Sequence, residues 1–148
     1  MKRFNRVDRR TANRKATASD ADILFSLVCQ FATSFQPDRQ SFEICLNEFL
    51  ADDSVWLSIA ECNGEVVGYG LGFDHYAFYA NGRVSWVEEI MVKAEVRQQG
   101  IGSGLINAFE AWARLRGSKL IGLATRRAAP FYAALGYEES ATFFRKLL

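Results

Sequence analysis

The sequence predicts an α/β domain: one mixed, mostly antiparallel sheet flanked by helices on both faces. Three observations carry this expectation. Apolar residues recur at helical spacing in the first third, alternate like strands from Val55, and return to helical spacing after Gly100. Asn63-Gly64 and Asn81-Gly82 mark tight turns between strand-like runs, so the middle of the sheet is built from hairpins. A chain of 148 residues, 49% hydrophobic and with only two prolines, has the size and composition of one domain with a sizeable core.

The elements follow in order, the first of them a strand. Ser19 or Asp20 is placed to cap a first helix, in which Ile23, Leu24, Leu27, Val28, Phe31 and Phe35 fall at helical spacing until Pro37 breaks it. A second helix is expected from about Arg39 to Leu50, burying Phe42, Cys45, Leu46 and Phe49. Val55–Ala60 and Val66–Phe73 read as a hairpin about Asn63-Gly64. A third strand runs through Val84–Val92 and carries Glu88 and Glu89 side by side. Carboxylates inside so apolar a strand need a partner or a job. A helix opens at about Ile101 and ends at Gly117; Lys119–Ala124 is a buried strand. A short helix at about Ala128–Leu135 and a last strand through Phe143-Phe144 complete the chain.

Charge and cysteine content exclude other classes. The formal net charge is +1, yet residues 1–15 hold seven basic groups against Asp8, and the remainder is acidic. We therefore divide the chain into a basic arm, residues 1–13, and a single domain, residues 14–148. A solvated, mobile terminus is the simplest reading of such an arm; contact with nucleic acid is the alternative. No apolar run approaches the roughly 18 residues of a membrane helix, and no apolar stretch follows the basic start as in a secretory signal. A cytoplasmic protein without a membrane partner is expected. Cys29, Cys45 and Cys62 lie outside any C-x-x-C pattern, and His75 is the one histidine, so neither a disulfide framework nor a metal site is expected.

The chemistry concentrates after the third strand. Arg97-Gln98-Gln99-Gly100-Ile101-Gly102-Ser103 is a glycine-rich turn that opens a helix, the general arrangement for holding phosphate on backbone amides. It is not a Walker A loop, because no Gly-Lys-Ser/Thr follows, nor does it have the spacing of a Rossmann fingerprint.

Glu88-Glu89-Ile90-Met91-Val92, then Arg97-x-x-Gly100-x-Gly102, then Phe131-Tyr132-Ala133-Ala134-Leu135-Gly136-Tyr137 together resemble the GNAT superfamily of acyl-CoA-dependent N-acetyltransferases. The resemblance is clearest over residues 66–148. It implies acetyl-CoA as the acyl donor, with the amides from Arg97 to Ser103 holding the pyrophosphate. It also implies pantetheine pairing with the backbone at Met91 and Val92, and a slot opening where that strand splays from Lys119–Ala124. The family often has an asparagine just before the Phe-Tyr helix; this chain has Thr125, whose hydroxyl makes one hydrogen bond. Tyr132 matches the position that protonates the departing thiolate. Glu88 or Glu89 matches the position of a base acting on the amine. Adjacent strand residues face opposite sides unless a bulge intervenes, and Glu88 is the preferred choice. Backbone amides near Met91 are the expected oxyanion donors.

The acceptor is a primary amine of a small molecule or peptide on this reading. Asp74, His75 and Tyr76, near the hairpin that precedes the glutamate strand, are the candidate contacts, Asp74 as the attraction for a cation. Aromatics there also serve simply as cover for the sheet. Two other readings remain at this stage: a catalytically silent acyl-CoA-binding module, and a tRNA-directed acetyltransferase that uses the basic arm. Phe143 and Phe144 permit a homodimer through the last strand.

Overall fold

The computed structural model describes residues 10–148. Five strands stand side by side in chain order: β1 (Thr11–Lys15), β2 (Val55–Cys62), β3 (Glu65–Ala77), β4 (Gly82–Val92) and β5 (Ser118–Leu123). The first four are antiparallel to their neighbours, and β5 runs parallel to β4. Helices α1 (Ala21–Phe31) and α2 (Arg39–Ala51) cover one face. Helices α3 (Ile101–Leu115) and α4 (Ala129–Ala134) cover the other. The expected mixed sheet with helices on both faces is thus the observed fold.

Residues 11–13 of the basic segment belong to the sheet, pairing with β2 from Thr11 opposite Cys62 to Lys15 opposite Ser58. Arg14 anchors this edge through Glu61 and Asp20, at 2.8 Å each. Asp20 does not cap α1 through its side chain; its carboxylate accepts instead from the Thr17 amide and from Arg14, which holds its pKa down to about 2. Lys2, Arg3, Arg6 and Arg9 of the arm lie outside the described residues.

Strand alternation divides the core in two. Leu57, Ile59, Tyr69, Leu71 and Met91 point to α1 and α2, where they meet Leu24, Leu27 and Leu46. Trp56, Val67 and Val87 point to α3, where they meet Ile101, Leu105, Ile106 and Phe109. The glycines of Val66-Val67-Gly68-Tyr69-Gly70-Leu71-Gly72 have a packing reason on this second face. A Cβ at Gly70 would stand 2.5 Å from the Trp56 ring, and one at Gly72 would enter the Phe109 ring. Only a bare backbone lets those two aromatics, whose centroids are 5.1 Å apart with the rings tilted by 57°, come this close to the sheet.

One expected element is absent. No strand forms through Phe143-Phe144, and among the described residues the sheet ends at β5. The Phe143 ring stacks on Trp86, with centroids 6.3 Å apart, and Arg145 donates to Ser34 at 3.1 Å, so the tail's contacts lie away from a ladder on β5. The strand that Phe143 and Phe144 would have offered to a second copy is therefore absent among the described residues.

Candidate active site

The site is built where β4 loses one neighbour. Its pairing with β5 ends at Val87 opposite Leu123, while its pairing with β3 continues to Val92. From Glu88 onward, one edge of β4 is therefore open. The Lys93 amide donates to the Val67 carbonyl, which makes Gly68 and Val92 a non-hydrogen-bonded pair. Alternation then turns the Met91 amide and carbonyl toward β3, and those of Ile90 and Val92 toward the opening. The Met91 side chain is buried in the α1–α2 core. Of the two residues expected to offer their backbone at this edge, the structure places Val92 there and not Met91.

A bulge decides the orientation of the glutamates. On β3, Leu71 pairs with Glu89 and the next residue, Gly72, pairs with Val87, so Glu88 is the extra residue. Glu88 is exposed. Glu89 is half-buried on the α1–α2 face and accepts a 2.9 Å hydrogen bond from the Tyr69 hydroxyl. Burial pushes its carboxyl above the usual range; the Tyr69 hydrogen bond opposes this, and the Glu88 charge adds to it. The direction is that of a carboxylate made more basic. Burial beside Glu89 also pushes the Tyr69 phenol up, so it remains a donor.

The glycine-rich turn has the geometry of an anion cradle. Gln98 and Gly100 both have positive φ, at 61° and 84°, and Gly100 is the residue before the first turn of α3. Gly104 is the first residue of that turn whose amide reaches a helical carbonyl, that of Gly100, at 2.9 Å. The amides of Ile101, Gly102 and Ser103 precede it and have no intrahelical acceptor. Arg97 folds back, its Nε donating to the Val92 carbonyl at 2.9 Å, and so ties the turn to the open edge of β4. A Cβ at Gly102 would lie 3.4 Å from Phe131, which places the turn directly beside α4.

Tyr132 stands in α4 with its ring edge-on to Phe131 and to Tyr137, at 4.9 and 5.8 Å between centroids. Burial pushes its phenol up, which keeps it protonated at neutral pH. Tyr137 donates to Glu110 of α3 at 3.0 Å and fixes the end of α4. The Thr125 hydroxyl accepts from the Ala128 amide at 3.1 Å, which makes it a brace for the start of α4.

The expected acceptor contacts are not brought to this site. The Asp74 carboxylate is fully buried and bonded to Arg83 at 2.8 Å and to two nitrogens of Arg116. With two guanidinium partners it has no call for a third cation, which corrects its assignment as the acceptor's attraction. His75 and Tyr76 are exposed at the paired end of β4, and Arg83 lies over the Tyr76 ring at 4.3 Å. Sequence reasoning missed Tyr69. Its signal was its position on the strand that hairpins onto Glu89, two residues off register and therefore a diagonal neighbour on the same face.

Comparison with known proteins agrees with this geometry. Residues 21–137 match the family described as Acetyltransferase (GNAT) family. The chain is 34% identical over 140 residues to aminoalkylphosphonate N-acetyltransferase of Salmonella typhimurium, an alignment covering 91% of this chain and 90% of that protein. Among solved structures, it is similar to glucosamine-6-phosphate N-acetyltransferase of Arabidopsis thaliana, with a TM-score of 0.83 and 17% identity, covering 93% of this chain and 98% of that one. It is likewise similar to the aminoglycoside N-acetyltransferase AAC(6')-Iy solved with CoA, with a TM-score of 0.80 and 22% identity, covering 93% and 95%. With an open edge on β4, a glycine turn beside it and a relative matched along nearly its whole length, the chain belongs to the GNAT family of acyl-CoA-dependent N-acetyltransferases.

Proposed function

We propose that the protein transfers an acetyl group directly from acetyl-CoA to a primary amine of a small molecule or peptide, with Glu89 as base and Tyr132 as acid. The observation that carries this is Glu89: a half-buried carboxylate of raised basicity, turned by a bulge to the α1–α2 face beside the edge where β4 has lost its neighbour. The cosubstrate supplies the acetyl group as a thioester. The amides of residues 98–103 hold its phosphates, Ile90 and Val92 offer backbone groups to its arm, and Gly102 keeps the space clear. Glu89 takes the proton of the amine nitrogen as the nitrogen–carbon bond forms. Tyr132 gives its proton to the sulfur as the carbon–sulfur bond breaks. General acid–base help of this kind contributes on the order of 10²–10⁴-fold in rate.

The paired candidates for acid and base favour turnover over a silent binding module. The relative named for aminoalkylphosphonates acts on a small primary amine, which supports an amine acceptor here without fixing the rest of the acceptor's body. A cytoplasmic setting fits three free thiols. A homodimer would use the exposed Phe144 and Leu147 of the tail as apolar contacts in place of a strand.

Thermal melting with acetyl-CoA tests the donor site. At 100 times the dissociation constant, binding adds about 2.7 kcal/mol, a rise on the order of 5–10 °C for a domain of this size. Gly102→Val, whose added methyls press on Phe131 and on the turn, is expected to lose that rise. A wild type that does not shift, or a Gly102→Val variant that shifts equally, overturns the assignment.

A further inference from the structure

Between α1, α2 and the sheet lies a cavity of about 400 Å³ with Glu89 and Tyr69 in its wall. Most of the remaining wall is apolar, with Val28, Phe35, Phe42 and Phe49 prominent and Cys45 on the α2 side. Two carboxylates line it. Asp38 caps α2, accepting from the Ser41 amide at 3.0 Å, and stands at the α2 end of the wall; Glu89 is the carboxylate on β4, beside the open edge. Among the described residues no lysine, arginine or histidine lines the cavity. Arg39, which lies over Phe42, is held by Asp22 and Glu43. Arg145 is outside as well, donating to Ser34.

From this wall we infer that the acceptor is a primary amine carried on an apolar body, an arylalkylamine such as 2-phenylethylamine, and not an aminoalkylphosphonate or a polyamine. The inference rests on Glu89 being the base of the proposed reaction. An ammonium brought to Glu89 gains a carboxylate partner in a partly dry site, while its ring or chain displaces water from Phe35, Phe42 and Phe49. A phosphonate in the same half-open cavity would give up part of its hydration for a wall that, among the described residues, offers it no cation, and its charge would stand against those of Glu89 and Asp38, which disfavours it. A polyamine would bring two or more ammonium groups to a mostly apolar wall, where Glu89 and the Asp38 cap carry the only carboxylates among the described lining residues and an aromatic body has more surface to bury. The volume suits a ring-bearing amine, since small-molecule sites run from about 300 to 1,000 Å³.

The test compares kcat/KM for 2-phenylethylamine, 2-aminoethylphosphonate and spermidine at saturating acetyl-CoA, in the wild type and in Cys45→Arg. Cys45 is an exposed position on α2, so the variant is expected to fold, with its melting temperature and its acetyl-CoA shift as the check. The wild type is expected to favour 2-phenylethylamine by at least about tenfold over either competitor. Placing a cation in the wall is expected to lower that value and to raise the one for 2-aminoethylphosphonate. A wild type that prefers the phosphonate or spermidine, with a rate that depends on Glu89, overturns the inferred acceptor and leaves the acetyltransferase reading standing. Failure to acetylate any of the three, together with no acetyl-CoA shift, overturns both.

Discussion

The two halves of β4 hold carboxylates in opposite ways. In the lower half the strand is paired on both sides, and Asp74 of β3 lies opposite Ser85 with its charge taken up by Arg83 and Arg116. In the upper half β5 has parted from β4, and Glu89 has a tyrosine hydroxyl where Asp74 has two cations. A buried acid with full ionic partners fixes a structure; one with a neutral partner beside an opening is left with basicity to use. The contrast separates stability from chemistry along one strand, and each end has its own way of failing.

The largest expected effect belongs to the paired end. Asp74→Ala leaves two guanidinium groups around an empty site, and removing one partner of a buried ionic cluster costs about 3–5 kcal/mol. Urea titration of the unfolding transition measures it. The turnover of the molecules still folded is expected to stay near that of the wild type. A loss below about 1 kcal/mol, or a selective loss of turnover, would break the division between the two ends.

At the open end the order reverses. Glu89→Gln is expected to lower kcat by about 10²–10³-fold with little change in acetyl-CoA binding. It should also stabilise the protein at neutral pH. A carboxyl whose folded pKa is raised contributes stability at low pH that is lost as pH rises through that pKa, and glutamine does not titrate. The advantage of the variant in melting temperature should therefore vanish at pH values below the ordinary carboxylate range. In the wild type, kcat/KM should fall on acidification at a pH above that range, because the base works ionised and this ratio reports the free enzyme. Tyr132→Phe is a smaller lesion, about 10²-fold in kcat, since it removes the acid and leaves the base.

Much of this contrast was legible in the sequence, and what was not has physical causes. The helical and alternating periodicities located nearly every element, and the glycine turn stood out because positive φ demands particular residues. The glutamate pair was visible too, but not its orientation, because a bulge is a property of the register between β3 and β4 and leaves no local signature. Asp74 was misread because Arg116, one of its partners, lies 42 residues away and reaches it only once α3 has crossed the sheet. The tail misled for a related reason: Phe143 and Phe144 have strand propensity, yet propensity does not choose between β5 and the Trp86 ring as a partner.

Glu88→Gln gives the smallest effect and the sharpest discrimination. Glu88 is exposed and carries no ladder position of its own, so its loss is expected to change kcat at neutral pH by less than about threefold, on the order of 0.6 kcal/mol. It nevertheless acts on Glu89 through charge, raising that carboxyl's pKa. Removing the charge should move the acid limb of the kcat/KM profile to lower pH, with the plateau of kcat unchanged. A pH titration of kcat and kcat/KM for wild type and variant reads both quantities at once. If Glu88→Gln collapses the plateau while Glu89→Gln spares it, the bulge has been assigned the wrong consequence and the base lies on the exposed side of the strand.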